Sequence, residues 1–418
     1  MKKLIIVNHD SDFLCSEEEL VQSIAGFAGT HVGILEWCIG GSGRCTHPTQ
    51  VGQFGANARA GFPTEDHRRI HEARHGAVAR GHDPLRLVVE AGHQAGIEVF
   101  ASFRTQSLSG LASWWAFGRC YNPRFWWQNQ DKRIRHKDFA FDHRLSYAYP
   151  QVRRFFLEIF EEVLDYDVDG IHLDFCRGMP FIGYEEPVVD EFYAETGRDP
   201  FALPGSDYVW LQQLYVEPEY HKHIYFEKED RDRPAQLDPG LVAPMDQQWM
   251  RFRTRYLSGF VRDLSLRLHE AGQRRARKLR LSCRLDWRFP LEAALDYARW
   301  AQEGWLDILQ LAQQGLGGWE IPIGRFKDEL RDTDCLVLFG EEHALSGHDL
   351  QPHEERAMAE GKEVERSRRQ MTAQEYCQRA VRWYEHGADG IHVFNNAFDY
   401  DLYRALGDPE KCKEIAGR

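Results

Sequence analysis

A chain of 418 residues with 43% hydrophobic residues can bury a large core, either as one big barrel or as two domains. Its formal net charge of −13, with no isolated lysine or arginine run, excludes a general nucleic-acid or anionic-membrane binder and suits a small-molecule or sugar partner. The opening MKKLIIVNHDSDFL has too short an apolar run for a signal peptide, and no stretch of about 18 apolar residues offers a membrane span.

In chain order, short aliphatic runs predict eight strands: 4–10, 31–38, 97–104, 169–175, 278–285, 306–312, 335–341 and 389–395. Between them, apolar residues recur on one side at helical period. PQVRRFFLEIFEEVL (150–164) has Pro150 suited to a first turn. LSGFVRDLSLRL (257–268) and TAQEYCQRAVRWYEHG (372–387) repeat the pattern, the latter with Thr372 as cap and Gly387 as stop. Helices alternating with near-continuous apolar strands imply a parallel sheet, and eight such units imply one closed (β/α)8 TIM barrel over 1–418.

The connections after strands two, three and four are long, including an insertion over about 176–250, and a charged excursion spans about 342–371. Loops after the strands build the active site of such barrels, so this asymmetry places the pocket before any motif does. Nine cysteines without CxxC spacing read as reduced structural thiols. A cytoplasmic location is the expectation, with a removed leader as the alternative.

The fourth predicted strand reads DGIHLDF (169–175), and the eighth echoes it as DGIHVFN (389–395). Strand alternation puts His172 and Asp174 on one face, the interior, with Asp174 nearer the C-terminal mouth. A carboxylate there is costly unless solvated, hydrogen-bonded or used. Asp174 is therefore the first catalytic candidate, against the alternative of a loop-fixing pair with Arg177.

At this point the chain resembles a known group. YAYPQVRRFFLEIFEEVLDYDVDGIHLDFCR, VVDEFYAETGRDP, WMRFRTRYLSGFVRDL and LDYARWAQEGWLDIL, in that order across roughly 85–312, look like the glycoside-hydrolase-like barrels called family-10-like. The resemblance implies a sugar-active barrel and supplies no catalytic pair. DGIHLDF is also similar to the DGxDxDxE strand of family 18 chitinases, but His172 and Cys176 stand where two of its acids belong, which argues against a chitinase mechanism.

Glycoside hydrolysis ordinarily needs two carboxyl groups. Glu341 and Asp286, at strand ends, rank equally as partners of Asp174, and Glu36 comes third as an acceptor for sugar hydroxyls. For each of them a solvated loop acid or an arginine partner is the plainer alternative. Trp37 and Trp287 are candidate stacking plates. So is the cluster WWAFGRCYNPRFWW (114–127), with Trp114, Trp115, Phe117, Tyr121, Phe125, Trp126 and Trp127.

Arg104, Arg177, Arg284 and Arg288 suit a uronate or sulfate, or else neutralise the site carboxylates. His9, His172, His392 and Asn395 complete the expected sugar contacts. No HExxH or His-x-His spacing points to a metal, and no cofactor is implied. Two alternatives stay open: a non-catalytic sugar-binding barrel, and a metal-dependent hydrolase or lyase.

Overall fold

A computed structural model describes residues 2–10, 16–62, 65–106, 120, 122–139, 141–176, 179–206, 243–313, 315, 317–346, 357, 362, 369–396 and 398–417. Eight parallel strands close on themselves: β1 (Leu4–His9), β2 (Val32–Gly41), β3 (Glu98–Arg104), β4 (Gly170–Asp174), β5 (Arg280–Asp286), β6 (Ile308–Ala312), β7 (Leu336–Glu342) and β8 (Gly390–Phe394). Each pairs with its sequence neighbours, and β8 pairs with β1. The barrel is the expected (β/α)8 fold, and every strand overlaps a run read from sequence.

The surrounding helices are α1 (Glu17–Ala25), α2 (Pro84–Ala95), α3 (Pro150–Val163), α4 (Gln247–Arg275), α5 (Tyr297–Gln302), α6 (Ile323–Glu329), α7 (Ala373–Glu385) and α8 (Tyr400–Leu406). α3 begins at Pro150 and buries Val152, Phe155, Phe156, Ile159, Phe160 and Val163 against the strands. α7 carries a capping box: Thr372 Oγ1 accepts from Glu375 N–H, and the Glu375 carboxylate accepts from Thr372 N–H. Gly387 follows at φ +91°, a conformation open to glycine.

No helix among the described residues is long and apolar enough to cross a membrane. The eight described cysteines are free and buried. Part of the insertion forms a helix, Glu186–Thr196. The base of the charged excursion is an antiparallel pair, Ala344–Ser346 with Arg369–Gln370.

The Asp-Gly half of the echoed phrase is architecture of the barrel floor. Asp169 N–H donates to Val99 O, and its carboxylate accepts from Val99 N–H at 2.8 Å. Asp389 makes the same pair of bonds to Val337, and Asp307 before β6 makes them to Leu281. Each aspartate ties the start of an even strand to the preceding odd one and adds a cationic partner: Arg277, Lys327 and Lys278 respectively.

Gly170 and Gly390 are required by close approach. A Cβ at 170 would stand 2.3 Å from Arg280 O and 2.7 Å from the Phe100 ring, and one at 390 would stand 2.2 Å from Leu4 O. Phe100 belongs to an interior cluster with Ile6, Ile34, Ile308 and Leu338 that fills the barrel bottom and seals it from water. Chemistry is therefore confined to the upper half.

Candidate active site

Above that apolar plug the inward positions turn polar, and five strands converge on one carboxylate. Glu36 of β2 has no solvent exposure. His172 Nδ1 of β4 lies 3.0 Å from its Oε1, and His392 Nε2 of β8 lies 3.3 Å from its Oε2. Ser282 Oγ of β5 donates to Oε1 at 3.1 Å and sits 2.8 Å from His172 Nδ1, while Gln310 Nε2 of β6 also donates to Oε1.

The two histidines of the repeated phrase, on strands opposite each other in the barrel, thus serve the same acid. Burial pushes the Glu36 carboxyl up, but His172 and His392 outweigh it and hold it well below the usual carboxylate range. Burial pushes His392 down, with Glu36 opposing. Glu36 is an ionised centre of the barrel, sealed from direct sugar contact in this conformation.

The next layer up forms the floor of the mouth. Asp174, the last residue of β4, is 3% exposed. Its Oδ1 accepts from Cys176 N–H at 3.1 Å and lies 3.4 Å from Arg284 Nε. The Arg284 guanidinium sits 3.9 Å from the ring centre of Phe394, three strands away, so this side chain crosses the barrel and roofs the Glu36 layer. Arg284 also feels the charge of Glu342, the last residue of β7. Asn395, at φ +60°, donates from Nδ2 to both Glu342 oxygens at 2.8 and 2.9 Å. Arg104 pairs with Asp10 at 2.6 Å.

Several candidates sit elsewhere than expected. Glu341 points to the helix layer, where Arg379 of α7 binds it. It has no solvent exposure, and burial raises its carboxyl to about 7 with Arg379 opposing. Its neighbour Glu342 takes the inward position, as strict alternation from Leu338 and Gly340 requires. Asp286 is buried and held by Arg288 through Nε at 2.9 Å and Nη2 at 2.7 Å, the arginine-partner arrangement.

Trp37 is buried among apolar residues and stacks on His9 at 4.6 Å, and the Phe398 ring lies 5.0 Å from His9. Neither ring faces the mouth, because both stand on outward positions of their strands. Trp287 is half-buried at the end of β5. Arg177, Trp114, Trp115, Phe117 and Tyr121 lie outside the described residues. Of the rest of the aromatic cluster, Phe125 stacks on Phe155, Trp126 is buried and Trp127 is 43% exposed. Among the described residues, no three His, Cys, Asp or Glu side chains form a metal-ligand group.

Sequence reasoning missed Glu185, a buried acid stitching the loops after β3 and β4. Its oxygens accept from Gly183 N–H at 3.0 Å and Arg135 N–H at 3.2 Å, and burial raises its carboxyl to about 7. A raised value means that this acid favours folding fully below its ordinary 4.5, and that the contribution is lost as pH rises through about 7. Glu185→Gln should remove about 3 kcal/mol of the stability lost between pH 5 and 8, as read by urea denaturation at both pH values.

Fold and site together define a class: a (β/α)8 barrel with a sealed apolar bottom and a mouth lined by inward-facing carboxylates. The chain belongs to the glycosyl hydrolase-like 10 family, whose model matches residues 57–315. No curated protein matches it in sequence.

Among solved structures it is similar to a glycoside hydrolase family 18 N-acetylglucosaminidase from Paenibacillus barengoltzii, with 10% identity, 99% of each chain covered and a TM-score of 0.42. A class V chitinase mutant from Cycas revoluta in complex with (GlcNAc)3 gives 10%, 99% of each chain and 0.45. Tryptophan synthase from M. tuberculosis gives 10%, 99% of this chain, 93% of that chain and 0.35. Likeness at this level spans unrelated reactions and carries nothing about chemistry.

Proposed function

We propose that the protein is a glycoside hydrolase acting on an oligo- or polysaccharide at the C-terminal mouth of the barrel, with Asp174 and Glu342 as its carboxyl pair. One observation carries this reading: two acids end strands β4 and β7 on the inward face, with Arg284 between them. Family membership supports a carbohydrate-active barrel. Asp174, beside the guanidinium, suits the anionic role of nucleophile or stabiliser of an oxocarbenium-like transition state. Glu342, oriented by Asn395, suits the acid/base role better than Glu341, which faces the helix layer, or Asp286, which Arg288 holds through two hydrogen bonds.

The expected preference for uronates or sulfates is set aside in this proposal. Arg104 and Arg284 face Asp10 and Asp174, so neither guanidinium is left without an internal anion, and a neutral sugar fits better. A second reading, a sugar-binding barrel without catalysis, is favoured by the burial of Asp174 under Arg284. Catalysis requires Arg284 to swing off Phe394 as sugar enters.

Release of reducing ends from an oligosaccharide panel tests the assignment. Glu342→Gln should lower the rate by about 10²-fold or more, and Glu341→Gln by only a few-fold. The reverse order would remove Glu342 from the site.

A further inference from the structure

We propose that His71 and His75 form a binding site for a late divalent transition metal such as Zn²⁺ or Ni²⁺, away from the barrel mouth. Both lie on the helix Glu65–Ala79, four residues apart and therefore on one face, with His67 one turn earlier. Their rings stand 4.1 Å apart, tilted by 41°.

Gly55, in the loop after β2, shows where they converge. The point at which a Cβ on Gly55 would stand is 3.2 Å from His71 Nδ1 and 3.3 Å from His75 Nε2. Two imidazole nitrogens from one helix face therefore border one small space, which glycine leaves open. Gly55 has φ +66°, a conformation that disfavours any side chain there.

A second observation points to a ligand. His71 Nδ1 is buried without a hydrogen-bond partner, an arrangement that costs free energy unless something else satisfies the atom. Phe54 packs on His75 at 4.5 Å and Phe62 on His71 at 5.0 Å, which walls the space with aromatic rings. An ordinary imidazole, with a pKa of about 6.5, is mostly neutral at pH 7, so both rings offer lone pairs there.

Imidazole suits Zn²⁺, Ni²⁺ and Cu²⁺, at metal–nitrogen distances of about 2.0–2.1 Å. Each ring has to close on the shared point by about 1 Å to reach that distance. Two protein ligands leave the other positions to water, and bound metal would tie the 53–62 loop to the helix.

The test is isothermal titration of the full chain with ZnCl₂, and separately with NiCl₂, for the wild type, His71→Gln, His75→Gln and the double variant. The wild type should take up one equivalent. Either single change should weaken that event by about 10-fold or more, and the melting temperature without metal should stay unchanged. Lowering the pH to about 5 should weaken uptake, as protonation competes with metal. The proposal is overturned if the wild type takes up neither metal at about 100 µM, or if the double variant keeps wild-type affinity and stoichiometry.

Discussion

Asp174→Asn will slow cleavage of any glycan the protein accepts by about 10³-fold, while the variant stays folded with less than about 2 kcal/mol lost. Asparagine retains an oxygen to accept from Cys176 N–H, so the loop after β4 keeps its anchor. What disappears is the negative charge facing the mouth. Arg284 loses its nearest anion but remains over Phe394 and within the field of Glu342, which limits the structural damage. Initial rates on a cleaved substrate, set beside urea midpoints for both proteins, separate the two effects. Equal rates would show that the Asp174 charge takes no part in the reaction.

Glu36→Ala should cost about 3–5 kcal/mol of folding stability, the largest effect expected of any single change. Removing this carboxylate leaves His172, His392, Ser282 and Gln310 facing one another in a layer sealed from water. Glu36→Gln, which keeps an acceptor oxygen, should recover part of the loss. The pH dependence has a definite sign. The Glu36 carboxyl is held below its ordinary 4.5, so its contribution is fully present above that value and is lost as pH falls through the lower folded one. As pH falls from about 7 to below 4.5, the wild type should therefore lose more folding free energy than Glu36→Ala does, as read by urea denaturation at each pH. Identical pH profiles would mean that Glu36 is not the ionised centre of the barrel.

The strands were legible because barrel strands are buried on both faces and read as unbroken apolar runs, and the helices because one side alone is apolar. The repeated Asp-Gly-Ile-His was visible, but its meaning needed three dimensions. Asp169 and Asp389 bond to the neighbouring strand, Gly170 and Gly390 clear space for neighbouring backbone, and His172 and His392 meet on Glu36. A third copy of the same device, Asp307, was hidden because Ile308 follows it where the others have glycine.

Glu342 was legible in principle. Val337 and Phe339 share the face of Glu341, and applying the period of two along β7 turns Glu341 outward. The engagement of Asp286 with Arg288, two residues on, was legible as the arginine-partner alternative, whereas the burial of Trp37 against His9 depends on packing that no local pattern encodes. Seven of the eight strand ends were read to within one residue, β2 running three residues past its predicted end, and which strand-end residue faces the mouth was settled only where alternation was applied.

The most direct measurement is a mass-spectrometric time course of neutral oligosaccharides incubated with the wild type, Asp174→Asn, Glu342→Gln and the double variant. The account predicts that the wild type converts each oligosaccharide into two shorter sugars whose masses together equal the parent plus one water. Asp174→Asn should be slowed by about 10³-fold and Glu342→Gln by about 10²-fold or more, and the double variant should be little slower than Asp174→Asn, because residues acting as one unit are not additive. Saturable sugar binding with every oligosaccharide left intact by the wild type, or cleavage undiminished in the double variant, would contradict it.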